Sequence, residues 1–308
     1  MDRRQFIRKG FIFSTLAGLY TSTLGRIPAF GANTRQAAGG NYDLVAVRGG
    51  EPVEMYRKAM IEMGGIQRYV KQGQTVVIKP NIGWDVEPER AGNTNPQLVA
   101  AIVEDCLKAG ARRVYVFDNT CDNWQRCYQN SGIEAAVRAA GGQMVPGNLE
   151  RYYQEVNIPG AKRLKTAKVH EQIINSDVFI NVPVLKHHAS TSITIAMKNL
   201  MGVVWDRRYW HRNDLHQCIA DFCLYRKPDL NIVDAYLVMT KNGPRGTSTA
   251  DLSLMKSLIV SSDIVAADTA SAMIFGAQPN DIGHIRIAGE MKIGNSSLES
   301  LNIKRVYV

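Results

Sequence analysis

Short apolar runs alternate along this chain with longer stretches of helical spacing. Runs such as YDLVAV, TVVIK and RVYVF are typical of buried strands, because they are short and rich in β-branched and aromatic side chains. Between them apolar residues return every three or four positions, as Leu98, Ile102 and Cys106 do, which indicates helices packed on one face. The pattern therefore predicts strands and helices in alternation.

The predicted elements cover most of the chain after residue 41. Strands are predicted over residues 42–50, 74–81, 112–119, 176–185, 228–239 and 256–262, with a short one near Met144. Helices are predicted over residues 52–65, 95–110, 132–140, 192–200, 215–224 and 263–276. Asn95 and Asp263 are favoured N-caps, Pro96 suits a first helical position, and Gly110 follows a helix end.

A strand, a helix and a strand at this spacing form a βαβ unit, which gives a parallel sheet with right-handed crossovers. We therefore predict an α/β fold of two lobes, with mostly parallel sheets and helices on both faces. The polar stretch 147–168 indicates a change of lobe, so the predicted lobes cover residues 33–150 and 151–308. Ligands are expected in the cleft at the carboxyl ends of the strands.

The N-terminal segment has the three parts of an export signal. Arg3 and Arg4 stand in a basic start, and the apolar run 11–24 is too short and too polar to span a membrane. Small residues flank Phe30, as signal peptidases prefer. We interpret residues 1–32 as a twin-arginine signal. This predicts a periplasmic protein, the twin-arginine translocase as a partner, and no integral membrane segment.

The net charge of +9 overstates the basic character of the exported chain. Residues 1–32 contain five Lys or Arg and one Asp of the 37 basic and 28 acidic residues, so the remainder carries +5. This modest excess suits a soluble protein that tolerates anions, and it does not favour a nucleic-acid partner.

Five cysteines follow the predicted signal: Cys106, Cys121, Cys127, Cys218 and Cys223. Cys106 lies on the apolar face of a predicted helix and is expected in the core. The pairs 121/127 and 218/223 suit local disulfides, metal thiolates or plain packing. Their spacing differs from the tight motifs of zinc and ferredoxin sites, so a disulfide or plain packing is favoured.

Polar side chains stand where several predicted strands end, and an open α/β sheet gathers such ends at one crevice. The predicted substrate-binding residues are Lys79, Asn81, Asp118, Asn119, Lys186, Asn199, Asn242 and Arg245. For any single member, a cap or a solvated loop residue is the alternative. As a set they predict a cleft that attracts the carboxylate or phosphate group of a small anion.

Histidines gather near the same strand ends and in the segment that follows. Imidazole is a common metal ligand and titrates near neutral pH, so these residues suit a metal site or acid–base chemistry. The predicted metal ligands are His187, His188, His211 and His216. The alternative is that each is an ordinary surface or interior histidine.

The turn 189–192 after these histidines is predicted to begin the helix that carries Lys198. The first backbone amides of that helix would favour an anion. Lys198 would lie about two turns into the helix. The alternative is that His187 and His188 cap a loop while Lys198 is a solvated helix residue.

Several segments resemble the family named domain of unknown function 362. They extend from about residue 76 to 276 and read VVIKPNIG, NTNPQLVAAIVEDCLKAGARRVYVFDN, SDVFINVPVLKHHASTSITIAMKNLMG, LHQCIADF, KPDLNIVDA, NGPRG and SDIVAADTASAMIFG. Members of that family often carry a ferredoxin-like iron–sulfur module. The dense cysteine run of that module does not occur in this sequence, so an iron–sulfur role is not carried over from the resemblance.

A more distant resemblance is to the lactate racemase family, which holds a nickel-pincer nucleotide between two α/β lobes. His188 and Lys198 match that family's histidine and the cofactor-anchoring lysine ten residues later. TSITIAM replaces the glycine-rich approach to that lysine. Lys79 stands where the family has an arginine, and Asp118 and Asn119 stand where it has a histidine. The resemblance implies the architecture and the position of the cleft, but neither the nickel cofactor nor the racemase reaction.

These observations predict an exported enzyme, of the oxidoreductase or isomerase type, that acts on a small anionic substrate between the lobes. The predicted catalytic residues are His188, Lys198 and Asp234. His188 would act as an acid–base group or metal ligand, Lys198 would bind charge, and Asp234 would orient or ligate. The alternative is a non-catalytic periplasmic protein that binds a ligand or metal, or serves maturation. A metal or redox cofactor is compatible with either, and the sequence does not name one.

Overall fold

The computed structural model describes residues 42–308, so the predicted signal over residues 1–32 lies outside the described residues. The helices of this range are α1 (Pro52–Glu62), α2 (Pro96–Lys108), α3 (Trp124–Asn130), α4 (Ile133–Ala139), α5 (Glu171–Asn175), α6 (Ala196–Asn199), α7 (Arg207–Arg212), α8 (Leu215–Phe222), α9 (Ile264–Phe275) and α10 (Gly283–Glu290). Within residues 42–308, no helix is both long enough and apolar enough to cross a membrane.

The strands of the same range are β1 (Leu44–Arg48), β2 (Thr75–Pro80), β3 (Arg113–Val116), β4 (Gln143–Met144), β5 (Tyr153–Asn157), β6 (Thr166–His170), β7 (Val178–Val182), β8 (Val184–His188), β9 (Ser192–Thr194), β10 (Leu230–Met239), β11 (Leu252–Ser261) and β12 (Ile303–Tyr307). One large sheet contains all of them except β5 and β6, which form a separate antiparallel pair. Its order is β12-β1-β11-β10-β7-β2-β3-β4, and β8 pairs with β10 and β9.

Most strand pairs of the large sheet are parallel. Antiparallel pairing is confined to β1 with β11, β10 with β11, and β8 with β9. Helices pack against this sheet, as expected when parallel strands are joined by crossovers. The predicted α/β class, with a mostly parallel sheet flanked by helices, is confirmed.

The sheet takes strands from both predicted lobes. β7 lies beside β2, with Val178 opposite Val76 and Ile180 opposite Ile78. In the same way β1 lies between β11 and β12. A continuous hydrogen-bonded ladder therefore joins strands before and after residue 150, and the division into lobes 33–150 and 151–308 stays a prediction.

The central strands are buried on both faces. Val77 packs with Phe179 in one apolar cluster, whereas its neighbours Val76 and Ile78 pack in a second cluster with Leu98 of α2. This follows from the alternation of side chains along a strand. Each such burial contributes about 1.5–3 kcal/mol. Polar side chains are accommodated where the strands end.

The predicted strand over 176–185 is two strands in the structure. β7 ends at Val182 and β8 begins at Val184, because Pro183 between them has no amide hydrogen to donate to a ladder. The Pro183 carbonyl accepts a hydrogen bond from the amide of Asp234 in β10 at 2.9 Å. The break lets β8 continue beside β10 beyond the end of β7.

The helix predicted over 192–200 is wrong in its first half. Residues Ser192–Thr194 form β9, which pairs antiparallel with β8 through Lys186 with Thr194 and His188 with Ser192. Helix α6 then covers only Ala196–Asn199. The β-branched residues of this stretch favour a strand, and the hairpin partner is available immediately upstream. Lys198 therefore lies in a single helical turn.

The predicted helix caps are confirmed. Asn95 Oδ1 accepts hydrogen bonds from the amides of Gln97 and Leu98, each at 3.0 Å. Asp263 Oδ1 does the same for the first amides of α9. These contacts are local in sequence, which is why the residue types alone predicted them.

All five cysteines of the described range are free thiols. The disulfide alternative for the pairs 121/127 and 218/223 is therefore wrong. Cys127, Cys218 and Cys223 are buried by packing, whereas Cys121 is exposed. Burial raises the pKa of Cys127 to about 12 and that of Cys218 to about 11, so both stay protonated near neutral pH.

Candidate functional site

Three lysines lie buried where strands of the large sheet end. Lys79 belongs to β2, Lys186 to β8 and Lys198 to α6, with 1%, 1% and 8% of their surfaces exposed. All three were predicted to line the cleft, and we call them the lysine cluster. A buried ammonium group is costly unless its charge is compensated. The partners of each lysine therefore decide its role.

Lys79 forms a buried ion pair with Asp118. Its Nζ lies 2.9 Å from Asp118 Oδ1 and donates to the Pro80 carbonyl at 2.8 Å and to Asn199 Oδ1 at 2.9 Å. Asp118 Oδ2 accepts from the Ile82 amide at 2.7 Å. Burial lowers the pKa of Lys79 and raises that of Asp118, and each charge opposes the shift of the other. The ammonium group thus has three oxygen atoms as close partners, one of them a carboxylate oxygen.

Gly202 leaves room for this ion pair. A Cβ at this position would lie 2.6 Å from Lys79 Nζ and closer still to Asp118 Oδ1. The Gly202 carbonyl also accepts a hydrogen bond from the Asn119 amide at 2.9 Å. The glycine that ends the segment KNLMG is therefore required by close approach of its backbone to the pair.

Asn199 connects the lysine cluster to a buried row of amides. Its Oδ1 accepts from Lys79 Nζ and from Asn81 Nδ2, the latter at 3.0 Å. Its Nδ2 donates to Asn181 Oδ1 at 2.8 Å, and Asn181 Nδ2 donates in turn to Asn231 Oδ1 at 3.1 Å. Both polar atoms of Asn199 are engaged within the protein. Its contact with a substrate stays a prediction.

Lys186 has oxygen partners but no carboxylate. Its Nζ donates to Asn81 Oδ1 at 3.1 Å and to the Gly92 carbonyl. Within residues 42–308, no Asp or Glu forms an ion pair with it. Burial lowers its pKa from 10.5 to about 7. The ammonium and amine forms are therefore both accessible near neutral pH.

Lys198 has the weakest set of partners in the cluster. Its Nζ donates to the thioether sulfur of Met201 at 3.1 Å, and a thioether is a weak acceptor. No carboxylate in the described part of the chain pairs with it. Burial lowers its pKa from 10.5 to about 8. The neighbouring Cys121 opposes this shift, and the charges of Arg207 and Lys79 add to it.

The amides at the start of α6 are already occupied. Asp268 of α9, which is fully buried, accepts from the Ala196 amide at 2.7 Å and from the Met197 amide at 3.2 Å. The carboxyl group of Asp268 thus occupies the place predicted for a bound anion, and that prediction is wrong. Burial raises the pKa of Asp268 to about 8.

His188 and His187 end β8 and accept hydrogen bonds from loop amides. His188 Nδ1 accepts from the Ser190 amide at 3.0 Å, so the neutral ring carries its proton on Nε2. His187 Nδ1 accepts from the Gly243 amide at 3.1 Å. Burial, followed by the charge of Lys198, lowers the pKa of His188 to about 3. His188 is therefore a neutral imidazole at physiological pH.

His216 contacts a second histidine that the sequence patterns did not select. Its Nδ1 lies 3.2 Å from Nδ1 of His284, whose fully buried ring has its Nε2 3.8 Å from Asp268. His211 is exposed in α7. Among the described residues, no group of three or more His, Cys, Asp or Glu is placed to hold a metal ion. The metal role of the four predicted histidines stays a prediction.

Asp234 joins β10 to the start of α2. Its two carboxylate oxygens accept from the Asn95 amide at 2.8 Å and from the Tyr236 amide at 3.1 Å. Burial raises its pKa, and these amide bonds oppose the shift. Its position explains why an aspartate stands in a buried strand, and its predicted catalytic role stays a prediction.

Asn242 and Arg245 lie on an exposed loop after β10. Asn242 Nδ2 donates to the carboxylate of Asp251 at 3.0 Å. Arg245 lies 3.3 Å from Asp122 and over the ring of Trp84. Both side chains thus stabilise loops in the structure, and their predicted contacts with a substrate stay predictions.

Arg207 is the cationic side chain that the sequence patterns missed. Its guanidinium donates to the Asn119 carbonyl at 2.8 Å, to the Thr120 carbonyl at 2.6 Å and to Cys121 Sγ at 3.5 Å. Together with Asn119 it lines a polar cavity of about 860 Å³. No local pattern indicates this position, because Arg207 and Asn119 are 88 residues apart.

Comparison with known proteins places this site within a family. The family described as Domain of unknown function (DUF362) matches residues 76–273. The chain belongs to this family. A curated relative of this DUF362 protein, a thylakoid-associated protein of Synechocystis sp., is 26% identical over 234 residues, covering 73% of this chain and 70% of the relative.

A solved structure that is similar to this DUF362 protein is the lactate racemase apoprotein of Thermoanaerobacterium thermosaccharolyticum. The TM-score is 0.45 at 10% identity, and the match covers 69% of this chain and 53% of that chain. The DUF362 chain thus spans about half the length of that protein. The similarity at this level assigns no residue role and no cofactor.

The matched region of the DUF362 protein contains the lysine cluster, the Lys79–Asp118 pair and the amide row of Asn81, Asn199 and Asn181. It also contains His188 and Arg207. The predicted membership of this family is confirmed. The lysine cluster and its partners lie inside the family region, whereas His284 lies beyond it.

Proposed function

We propose that this DUF362 protein is an enzyme, of the oxidoreductase or isomerase type, that acts on a small anionic substrate bound by the lysine cluster. One observation carries the proposal: Lys186 and Lys198 are buried and neither has a carboxylate partner. A carboxylate or phosphate group would supply the charge that the protein leaves out. The proposal includes export to the periplasm by the twin-arginine route and names no cofactor.

The groups around the cluster suit both binding and chemistry. Arg207 and the ammonium form of Lys186 both favour the charged part of a substrate. His188 carries a proton on Nε2 and stays neutral, and a neutral imidazole can polarise a carbonyl oxygen by donating to it. Lys198 is the least restrained amine of the site.

A carrier that binds the same anion without converting it is the second candidate. It is favoured by the engagement of both Asp118 and Asp234 with other groups of the protein. These carboxylates are therefore not free to act as general bases. Product formation from each anion that binds, followed by NMR, separates the enzyme from the carrier.

Calorimetric titration with acetate and with inorganic phosphate tests the site. A bound anion stabilises the charged form of a neighbouring lysine and raises its pKa. Near pH 8, where Lys198 is partly neutral, the complex should therefore take up protons on binding. The measured heat should then change with the ionisation enthalpy of the buffer, and the slope gives the number of protons.

Matched variants locate the effect. Lys186→Met should weaken anion binding by roughly tenfold to a hundredfold, because a charge-assisted hydrogen bond is lost. Lys108→Met is the control, since Lys108 is exposed on α2, and its affinity should equal that of the wild type. No anion binding by the wild type, or equal losses in both variants, would remove the proposal.

A further inference from the structure

The three lysines of the cluster differ in how many hydrogen bonds each would lose on forming an imine. Forming an imine removes both hydrogens of a neutral amine, so every hydrogen bond that the amine donates is lost. Lys79 would lose its ion pair with Asp118 and its hydrogen bonds to the Pro80 carbonyl and Asn199. A buried acceptor left without its donor costs about 1–3 kcal/mol. Covalent chemistry at Lys79 is therefore strongly disfavoured.

Lys186 has the same difficulty to a smaller degree. Its Nζ donates to Asn81 Oδ1 and to the Gly92 carbonyl, and both oxygens would lose that donor. Only 1% of Lys186 is exposed, so water has little access to replace it. Covalent chemistry at Lys186 is therefore disfavoured as well.

Lys198 would lose almost no hydrogen bonding on forming an imine. Its Nζ donates to the Met201 sulfur, a weak acceptor that tolerates being left without a donor. It is also the most exposed lysine of the cluster, at 8%. Burial lowers its pKa to about 8, so a sizeable fraction carries the free lone pair that a nucleophile needs.

Charge near Lys198 favours a substrate that is an anion as well as an electrophile. Lys79, Arg207 and Lys198 itself act on one another as like charges, and the charges of Lys198 and Lys186 both lower the pKa of His188. A carboxylate bound here relieves this repulsion. The neutral His188 ring is then a donor suited to a carbonyl oxygen.

We propose that Lys198 is a nucleophile that forms an imine with a small carboxylate carrying an aldehyde or ketone group. Nζ attacks the carbonyl carbon and a C–N bond forms. The two amine hydrogens move to the carbonyl oxygen, which leaves as water when the C–O bond breaks, so no oxidant or reductant is required. This inference rests on the proposed function, because the same site must first bind the anion.

Reductive trapping with glyoxylate, the smallest carboxylate that carries an aldehyde, tests the proposal. Wild-type protein is incubated with glyoxylate and sodium cyanoborohydride, which reduces an imine to a stable secondary amine, and the modified residue is located by peptide mass spectrometry. We expect an adduct on Lys198 that acetate suppresses by competition. Adducts on exposed lysines serve as the internal control, since acetate should leave them unchanged.

Lys198→Arg separates binding from the covalent step. Arginine keeps the positive charge but does not form this imine, so the variant should retain glyoxylate binding in calorimetry and lose the acetate-sensitive adduct. Glyoxylate binding by the wild type without an adduct on Lys198, or with the protected adduct on Lys186, would overturn the imine alone. Absence of anion binding in the wild type would overturn the proposed function itself.

Discussion

Lys79 and Lys198 are both buried lysines of one site, yet their surroundings are opposite. Lys79 has a carboxylate at 2.9 Å and two further oxygen acceptors, whereas Lys198 has a thioether. Burial penalises the charged form of both. At Lys79 the charge of Asp118 opposes this penalty, whereas no carboxylate pairs with Lys198 in the described part of the chain. The first lysine is therefore part of the framework, and the second is available to a ligand.

The parts of the protein that surround Lys79 and Lys198 also differ. The Lys79–Asp118 pair is enclosed by the Gly202 backbone, the Ile82 amide and Asn199. Helix α6, which carries Lys198, is only one turn long and is fixed at its start by Asp268.

Removing the carboxylate from the framework lysine should have the largest effect. Asp118→Asn leaves Lys79 buried without its counter-charge, and we expect a loss of about 3–5 kcal/mol in the free energy of unfolding. Urea denaturation measures this. The control is Glu134→Gln, which breaks the exposed pair with Arg138 and should cost less than about 1 kcal/mol. Equal costs in both variants would remove the contrast between Lys79 and Lys198.

The uncompensated lysine should appear in the pH dependence of stability. Lys198 has its pKa lowered from 10.5 to about 8, so between these values the unfolded chain binds more protons than the folded one. Stability then rises with pH across this window, by roughly 3 kcal/mol for this group. Lys198→Met should abolish that rise, measured as the difference between variant and wild type.

A second variant checks the assignment of this window. Lys186→Met should remove a larger rise, of roughly 5 kcal/mol, that begins lower, near pH 7, because burial lowers the pKa of Lys186 further. Wild-type and variant curves that stay parallel from neutral to alkaline pH would contradict a lowered pKa at either lysine.

A smaller effect is expected where the backbone approaches the ion pair. Gly202→Ala places a methyl group against Asp118 and Lys79, and overpacking of this kind costs about 1–3 kcal/mol. Gly83→Ala is the matched control near the same strand ends, because its Cβ would meet Asn81 and Cys121 at ordinary contact distances of 3.5 and 3.9 Å. Thermal melts of both variants decide whether the pair is as rigid as we infer.

The alternation of strands and helices, and hence the fold class, could be predicted because it depends on local spacing. A buried strand such as β2 needs a continuous apolar run, and an amphipathic helix such as α2 needs its 3.6-residue period and a cap at Asn95. The wrong prediction of a helix at residues 192–194 also follows from this dependence on local spacing. Local pattern does not show that β8 is close enough to make a hairpin partner.

The candidate site was only partly predictable. Strand ends indicated Lys79, Asp118 and Lys186, because parallel strands bring their carboxyl ends to one edge. Arg207 and His284 gave no such signal, since their contacts join loops and helices that are distant in sequence. The prediction of a bound anion at the start of α6 was wrong for a related reason. Asp268 of α9 is distant in sequence, yet its side chain accepts hydrogen bonds from those amides in the fold.

The sequence by itself determined which residues carry charge, which strands are buried, and that lysines and histidines follow buried strands at the edge of the sheet. It did not distinguish the role of Lys79 from that of Lys198, since in the sequence each is a lysine next to an apolar run. Only the tertiary structure decided that Asp118 compensates one of them and leaves the other with Met201. The physical reason is that burial and partner distance set the free energy of a charge, and both are properties of residues brought together by the fold.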